Sequence, residues 1–427
     1  MRMRFVAPMT AVIVCMASVF VIPQVLAGEA LSLAKALEKT LKQGPALQDY
    51  PYQLRINEAQ QLQAALTPNP ELAVNLENIA GSGGNQGLKN AELTLTLSQL
   101  IEMGNKRNLR LQKSQWQQTL VQQQFEVSRL DALANTTRSY IRQVELQHLR
   151  QLLLQRLVRE EYILMLAKQR AAASNLSDAD VNRIELRLIR SKLELGALDN
   201  ALELGRSQLA AHWAQPADFT RVQGAFSELP LLPSLHELQS RLEQSPLLAK
   251  FVTRQRLHEA ELSLAKAQQS ADITVSAGLR RIESVNDTAI VLGFSMPWQR
   301  QDPSAAAQLA AKAEMALSQL QQQQTHTALR LLVQQIYLEL AQLREYVKVL
   351  QSTLIPKALQ LQHLSEQGYQ QGQLDLFALL SAEQELSQAE IDLVSAQSRF
   401  HLQLLELERL TGQALTVSGP VSLSFVE

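Results

Sequence analysis

The sequence predicts a mainly α-helical chain built from two tandem repeats, each of which carries a pair of β-strands. Three observations predict this class: a repeat about half the chain long, four short segments in which apolar and polar residues alternate, and long stretches rich in glutamine and leucine. Aromatic residues make up only 5% of the 427 residues, which fits long helices better than a compact globule.

The repeat consists of two matches that share one spacing. In the first match four positions recur, since Leu41, Gln43, Pro45 and Leu47 return as Leu242, Gln244, Pro246 and Leu248. In the second match the run 56–59 returns at 257–260. The spacing is 201 residues in both, far longer than a solenoid unit. We therefore expect a duplicated half-protein, with a first repeat over 28–224, a second over 225–415 and a tail over 416–427.

The N-terminal segment has the pattern of a secretory signal peptide. Arg2 and Arg4 precede a long apolar run, and the small residue Ala27 stands before Gly28. We expect residues 1–27 to be removed on export. A retained anchor helix is the alternative interpretation.

Charge and cysteine content restrict the function further. The only cysteine, Cys15, lies in the expected signal peptide, so the mature chain has no thiolate for a metal, a nucleophile or a disulfide. Removal of 1–27 deletes two arginines, which leaves 38 basic against 41 acidic residues. A net charge near −3 gives no electrostatic reason to expect nucleic acid as a partner.

Four segments, at 71–79, 91–98, 273–280 and 290–296, alternate apolar with polar or small residues. This period predicts strands with one apolar face and one more polar face. Strands that are apolar outside and polar inside are typical of membrane β-barrels, whereas a half-buried sheet in a soluble domain is the alternative. The candidates to line the lumen of such a barrel are Asn75, Glu77, Thr94, Thr96, Thr274, Ser276 and Arg280.

The linkers and the strand number predict hairpins that need partner chains. The glycine-rich run 81–87 and the segment 283–287 have the composition of hairpin tips. Beyond 1–27 no apolar run approaches the roughly 20 residues of a membrane helix, so any membrane crossing falls to the strands. Four strands cannot close a barrel, and lipid does not tolerate an open edge. Two copies would supply eight strands and three copies twelve, and we favour a homotrimer because twelve strands enclose a lumen.

Long helices are predicted on the other side of the strands. The stretches 104–170 and 303–371 would each span on the order of 100 Å, and shorter helices are expected to return over 177–213 and 374–410. Pro356 should kink or break the second long stretch. In the last helix a strict heptad predicts a coiled-coil seam, formed by Leu379, Leu386, Leu393, Phe400 and Leu407 with Ala382, Ala389 and Ala396.

The sequence offers no catalytic or cofactor-binding constellation. The seven histidines are scattered without ligand spacing, at His148, His212, His236, His258, His326, His363 and His401. The chain also lacks the motifs of serine hydrolases, zinc proteases and phosphate-binding loops. We therefore expect no enzyme, no cofactor and no resident metal.

The best functional candidates lie at the two helical tips. Asp178 and Asp180 follow Ser177 at the predicted start of a helix, where capping is the simplest explanation. The functional hypothesis is that threefold repetition turns them into acidic rings that attract cations and help to close the tunnel mouth. At the second tip Gly372 should allow the turn, with Asp375 as a weaker candidate.

The order of elements and four local segments resemble the TolC family of outer-membrane efflux proteins, in particular its heavy-metal branch of the CzcC/CusC type. The segments are Asn-Pro-Glu-Leu at 69–72, 98–107 after the second strand, 213–224 between the repeats and Tyr-Gln-Gln-Gly at 369–372. The resemblance covers essentially the whole mature chain. Two positions depart from it: Gly28 replaces the lipidated cysteine of many relatives, and Ser381 replaces a frequent aspartate.

The resemblance implies a homotrimer with a twelve-stranded barrel in the outer membrane of a Gram-negative bacterium and a helical tunnel across the periplasm. The implied partners are a periplasmic adaptor (membrane fusion protein), a proton-driven inner-membrane pump of the RND type and outer-membrane lipid. Heavy-metal cations are the favoured cargo. The same duct for drugs or for type I protein secretion, and a periplasmic coiled-coil scaffold without a barrel, are the alternatives.

Overall fold

The computed structural model describes residues 30–172, 177–226, 229–298 and 300–413. The expected signal peptide 1–27 and the tail 416–427 lie outside the described residues. Nine α-helices and four strands follow one another in this part of the chain, in the order α1 Leu33–Gln43, α2 Tyr50–Ala65, β1 Glu71–Glu77, β2 Glu92–Ile101, α3 Lys106–Ala172, α4 Asp178–Ala211, α5 Leu235–Glu243, α6 Pro246–Ala267, β3 Ile273–Ile282, β4 Asp287–Ser295, α7 Ala305–Val349, α8 Ile355–Gln371 and α9 Leu376–Thr411.

The four predicted strands are present and form one antiparallel sheet in the order β1-β2-β3-β4. The central pair β2–β3 joins the two repeats over ten residue pairs, from Glu92 opposite Ile282 to Ile101 opposite Ile273. Both predicted hairpin tips contain a short 3₁₀ turn, at Gly83–Asn85 and at Glu283–Val285. Asn286 completes the second tip in the left-handed region, which asparagine tolerates better than most residues.

Long antiparallel helices leave the opposite end of the sheet, as the sequence predicts. Helix α3 has 67 residues and is about 100 Å long, and α4 returns along it. In the second repeat α7 and α8 run down and α9 returns. Within the described ranges, no helix combines the length and the apolar composition needed to cross a lipid bilayer.

The predicted heptad seam of α9 is confirmed as a buried stripe. Four of its large residues, Leu379, Leu386, Phe400 and Leu407, are at most 1% exposed. Leu393 packs partly buried against the same core, and Ala382, Ala389 and Ala396 are buried beside the stripe. Since alanine adds little bulk, the neighbouring helices approach closely along this seam.

Pro356 marks a widened helical turn rather than a break. The segment Leu350–Leu354 forms a single π-helical turn between α7 and α8, and Pro356 lies in the first turn of α8. Proline lacks an N–H group, and its ring clashes with the carbonyl four residues earlier in a regular α-helix. A wide turn just before the proline relieves this clash, so the chain stays helical.

The two repeats differ at the start of the helix that leads into the sheet. In the second repeat Pro246 begins the continuous helix α6. In the first, Pro45 begins only a 3₁₀ turn, and α2 starts afresh with Pro51 in its first turn. The position equivalent to Pro51 is Val252, which has an N–H group and continues the helix.

Within the described residues, three buried clusters hold the helices together. One lies in the second repeat between α5, α6, α7 and α9, and one lies near the helical tips between α3, α4, α8 and α9. The third surrounds Trp213 and Tyr140, where Leu31 bridges to Val222. The Tyr140 hydroxyl donates a 2.9 Å hydrogen bond to the Leu31 carbonyl, and burial raises its pKa to about 12. The phenol therefore stays a neutral donor that fastens the bridge to α3.

Ion pairs connect the base of the sheet to the long helix. Lys106, at the start of α3, donates to Asp272 just before β3 over 2.7 Å. Asp272 also accepts the Met103 backbone N–H at 2.9 Å. Burial opposes ionisation of Asp272, but these donors outweigh it and hold its pKa below the usual range. This contact ties the end of the first hairpin to the start of the second.

Candidate functional site

The strand register places all seven predicted lumen residues on one face of the sheet. Directly opposed residues of antiparallel strands point to the same face. Asn75, Thr94 and Arg280 form one such row across β1, β2 and β3. Glu77, Thr96, Ser276 and Thr274 fall in further rows of the same face, opposite Glu92, Gly278, Ser98 and Leu100 respectively. Leu100, Val291 and Ile282 are the larger apolar residues that interrupt this polar face.

Arg280 is the centre of a polar cluster on this face. Its Nε donates to Thr94 Oγ1 over 3.0 Å, and its Nη1 donates to Glu92 Oε2 over 3.1 Å. Glu77 Oε2 lies 3.8 Å from Nη2. The sequence predicted Glu77, Thr94 and Arg280 as lumen residues, and the structure brings them into contact.

The opposite face of the sheet is mostly apolar and exposed in the single chain, with the polar residues Gln99, Arg281 and Thr288 towards its two ends. Leu72 on β1 retains 67% of its accessible surface, and Leu292 on β4 retains 79%. Val74, Leu76, Leu93, Leu95, Leu97, Val275, Leu279, Ile290 and Phe294 are also exposed on this face. A contiguous apolar patch of this kind marks a surface that contacts lipid or another protein.

Both edges of the sheet are open. Within the described residues β1 pairs only with β2, and β4 pairs only with β3. Each edge therefore presents backbone N–H and C=O groups without strand partners, which are ready to pair with another chain. Because β1 and β4 point in opposite directions, β4 of one chain would meet β1 of the next in the same antiparallel arrangement.

At the first helical tip Ser177 caps α4, and the predicted acidic residues lie in the first turn of that helix. Ser177 is the N-cap of α4, and its Oγ accepts from the Asp180 N–H at 3.3 Å. Asp180 also accepts from the Ser177 hydroxyl at 2.8 Å and from Arg183 at 3.1 Å. Asp178 is exposed in the first turn, where a negative charge favours the helix dipole. The preceding residues 173–176 lie outside the described part of the chain.

At the second tip Gly372 makes the turn that the sequence predicts. It ends α8 with φ of +78°, a conformation that favours glycine, and its N–H bonds back to the Tyr369 carbonyl. Asp375 is the N-cap of α9 and accepts from the Ala378 N–H at 2.8 Å. The Arg170 guanidinium of α3 lies 4.4 Å from the centre of the buried Tyr369 ring, which joins the two tips.

Sequence reasoning missed a buried ionic network just above these tips. Glu383 of α9 is fully buried and accepts from Arg159 of α3 at 2.8 Å and from Arg187 of α4 at 3.4 Å. Arg187 also donates to the buried Glu160 at 2.9 Å, and Arg159 to Glu390 at 3.0 Å. The network therefore links the hairpin of the first repeat to that of the second. The heptad pattern gives no signal for it, because contacts between helices bring its members together.

A second missed feature is a mixed cluster near the sheet. His258 and Glu261 of α6 approach Glu314 of α7, and one ligand-type atom from each lies within 4.8 Å of the others. The spacing of three between His258 and Glu261 is visible in the sequence, but the contribution of Glu314 is not. The seven histidines alone predicted no such grouping.

Two sequence comparisons agree with the resemblance. Residues 238–413 match the model of a family described as outer membrane efflux protein. The chain is also 24% identical over 355 residues to the cobalt-zinc-cadmium resistance protein CzcC of Cupriavidus metallidurans. That alignment covers 82% of this chain and 83% of its relative.

Solved structures show the same fold. The outer-membrane channel OprN matches with a TM-score of 0.76 and 17% identity, covering 90% of both chains. CusC, described in connection with transmembrane channel formation, has a TM-score of 0.76 and 12% identity, covering 90% of this chain and 92% of its own. The outer membrane protein VceC of Vibrio cholerae has a TM-score of 0.73 and 17% identity, covering 90% and 97%. Residues 238–413 thus resemble outer membrane efflux proteins in sequence, and the chain shares the fold of these solved outer-membrane channels.

Proposed function

We propose that the chain is the outer-membrane exit channel of a tripartite efflux system. Three copies would close a twelve-stranded barrel in the outer membrane, and their helices would form a tunnel through the periplasm. A periplasmic adaptor and an inner-membrane pump of the RND type would complete the assembly. Channel proteins make up the matching family and the structural neighbours, which favours a passive duct over an enzyme.

The single observation that carries this proposal is the sheet itself. It has one exposed apolar face, one polar face and two open edges. In water the apolar face would be an aggregation hazard, whereas in a bilayer it contacts lipid. Lipid in turn requires that the backbone groups of both edges find partners, and neighbouring copies supply them.

The lipid contact is tested by introducing one charge on either face of β4. Leu292→Arg places a cation on the apolar face, where burial in the bilayer costs about 2–4 kcal/mol at the membrane centre. Val291→Arg is the matched control, because Val291 points to the polar face. We expect Leu292→Arg to reduce the amount of heat-modifiable oligomer in the outer membrane several-fold, and Val291→Arg to retain it. Equal assembly of both variants, or wild-type protein that fractionates as soluble, would favour the alternative of a periplasmic coiled-coil scaffold without a barrel.

The acidic residues at the first tip are proposed as a cation-attracting ring at the tunnel mouth. Asp178 is exposed and Asp180 is partly exposed, so their charges reach solvent, and the N-cap of α4 is supplied by Ser177. Replacement of both by asparagine removes the two charges and leaves the Ser177 cap in place. We expect the double variant to have lower cation preference and altered single-channel conductance in planar bilayers. If both properties are unchanged, the role of these residues is confined to the first turn of α4.

Heavy-metal cations are the proposed cargo. The support is the likeness to CzcC, whose name refers to cobalt, zinc and cadmium resistance, at 24% identity over most of both chains. Deleting the gene should sensitise the host to these cations without changing its sensitivity to drugs. Drug sensitivity alone would assign the same duct to drug efflux.

A further inference from the structure

A histidine and two glutamates meet on the helices that flank the second hairpin. His258 Nδ1 lies 3.0 Å from Glu261 Oε2 and 3.5 Å from Glu314 Oε2. His258 stands nine residues before the end of α6, and Glu314 nine residues after the start of α7. The cluster therefore lies about 14 Å from the ends of these helices that adjoin the sheet.

The separations suit a small divalent cation. Ligand atoms that each lie about 2.0–2.1 Å from a tetrahedral zinc ion are roughly 3.3 Å from one another. The two distances from His258 Nδ1 bracket this value, and the two carboxylate oxygens lie within 4.8 Å of each other. The Glu314 side chain is 56% exposed and free to move. A small rotation of this side chain would bring its carboxylate into the coordination geometry of the ion.

The second oxygen of Glu261 is already held in place. Lys113 of α3 donates to Glu261 Oε1 over 3.0 Å, which leaves Oε2 directed at His258. The contact with Lys113 thus orients the Glu261 carboxylate, as contacts outside the metal shell commonly orient a metal ligand.

A second histidine in the chain contacts a single carboxylate. His326 Nε2 contacts Glu243 Oε1 at 2.7 Å. In the part of the chain that the structure describes, the grouping of three potential ligands occurs only at His258, Glu261 and Glu314. His326 therefore provides a matched control with one carboxylate instead of two.

We propose that His258, Glu261 and Glu314 form a binding site for a borderline divalent cation such as Zn²⁺. A neutral imidazole with two carboxylates is a ligand set that such cations accept, whereas Mg²⁺ prefers an octahedral shell of oxygens. When the ion binds, the Nδ1 proton of His258 passes to water and the neutral imidazole carries its proton on Nε2, so that the cation takes the place of the Nδ1 proton between the carboxylates. Three protein ligands leave coordination positions open, so the ion exchanges with solvent.

An ion bound at this site would bridge helices α6 and α7. Helix α6 leads into β3 and α7 follows β4, so the ion would tie together both helices of the second hairpin. The proposed binding of Zn²⁺ is argued from the contacts among His258, Glu261 and Glu314 and does not depend on the proposed cargo. The location of this site in the wall of a tunnel through which cations pass does rest on the proposed function.

The test is Zn²⁺ binding by the full-length, detergent-solubilised protein, purified without a polyhistidine tag and stripped with a chelator. Isothermal titration should detect one Zn²⁺ per chain, with no competition from excess Mg²⁺. His258→Ala and Glu314→Gln should each weaken binding at least about tenfold, since losing a ligand costs no less than losing an outer-shell partner. His326→Ala should bind as the wild type does.

Thermal unfolding adds a second readout. Zn²⁺ should raise the melting temperature of the wild type and of His326→Ala, but not that of His258→Ala. If His258→Ala is too unstable to purify, Glu314→Gln serves alone, because Glu314 is exposed. Wild-type protein that fails to bind Zn²⁺, or ligand variants that bind it unchanged, would overturn the proposal and leave the cluster as an ordinary hydrogen-bonded contact. A metal-binding protein that does not assemble in the membrane would overturn the proposed function but leave this site standing.

Discussion

At the scale of single residues, Glu383 connects the two helical hairpins through buried ion pairs. It is fully buried and neutralises two arginines from the other repeat. Removing one partner of a buried ion pair typically costs 3–5 kcal/mol, because the remaining charge is left without compensation. Arg159 and Arg187 each keep a second carboxylate, in Glu390 and Glu160, so the cost should be at the low end of this range.

We therefore expect Glu383→Ala to lower the free energy of unfolding of the helical region by about 3 kcal/mol. Chemical denaturation followed by far-ultraviolet circular dichroism measures this change. Glu385→Ala is the control, because Glu385 is exposed on the same helix and its loss should cost at most about 0.5 kcal/mol. Similar destabilisation by both variants would contradict a specific role for the network.

His401 predicts a loss of stability in acid. Its ring lies 5.4 Å from that of Phe226 and 5.9 Å from that of Phe400, and burial lowers its pKa from 6.5 to about 4. Between pH 4 and pH 6.5, His401 is protonated in the unfolded chain but neutral in the folded chain. The contribution of this group to the free energy of unfolding is therefore present above pH 6.5 and falls by about 3 kcal/mol as the pH approaches 4.

Replacing His401 with glutamine, which does not titrate, should remove this part of the pH dependence. Apparent melting temperatures between pH 4 and pH 7.5 check the prediction, with His363→Gln as the control because His363 is exposed. A wild type and a His401→Gln variant with parallel profiles would show that other groups dominate the acid response.

At the scale of secondary-structure elements, the joint between the repeats is the pair β2–β3. Gly278 makes this pair possible, because a Cβ atom there would lie 2.5 Å from the Leu95 carbonyl oxygen and 2.9 Å from Thr96 Oγ1. The carbonyl belongs to the ladder and cannot move without separating the strands. A side chain at this position therefore weakens the contact that unites the two hairpins.

Gly278→Ala should reduce assembly of the sheet and cost about 1–3 kcal/mol, the usual effect of overpacking. Gly293→Ala is the matched control on the next strand and the same face, since its Cβ would meet only the side-chain Oγ of Ser276 among close atoms. A hydroxyl can rotate away, so this variant should assemble nearly normally. The fraction of heat-modifiable protein in membranes compares the two, and equal fractions would contradict the argument.

The coiled-coil stripe of α9 illustrates how well periodicity alone predicts an element. A heptad is a local property, and burial of Leu379, Leu386, Phe400 and Leu407 follows from it directly. The sequence predicts that Pro356 disturbs the helix, but it does not predict the form of the disturbance. Whether a helix breaks, kinks or widens at a proline depends on packing against its neighbours, and here it widens by one π turn.

At the scale of the whole molecule, the open edges β1 and β4 predict the assembly. Within one chain they are separated by two strands, which places them about 14 Å apart, too far for a disulfide. In a closed ring, β4 of one chain lies beside β1 of the next. Since Cys15 is the only cysteine of the sequence, cysteines introduced elsewhere provide a clean probe.

Val74→Cys combined in turn with Ile290→Cys, Leu292→Cys or Phe294→Cys should give disulfides between chains for at least one pair. On non-reducing gels the products should extend to three linked chains and no further. A ladder that stops at two chains would indicate an eight-stranded dimer. Single-cysteine variants control for random oxidation, and a complete lack of cross-links would contradict edge-to-edge closure.

Local pattern by itself determined a large part of this protein. The four strands with their polar and apolar faces, the long helices and the turn at Gly372 all follow from periodicity and turn chemistry, which act over a few neighbouring residues. The seven polar-face residues were predictable for the same reason, because side chains alternate along every strand. The division at 224–225 and the roles of Asp178, Asp180 and Asp375 as gate residues remain predictions.

Only the tertiary structure decided which distant residues meet. The pairing of β2 with β3, the convergence of Glu383 with Arg159 and Arg187, and the approach of Glu314 to His258 all join positions far apart in the chain. No local period encodes such contacts, since they depend on the register and packing of whole elements. The fold could therefore be deduced from patterns among residues that are close in sequence. The ionic network and the candidate cation site could be found only from residues that are close in space.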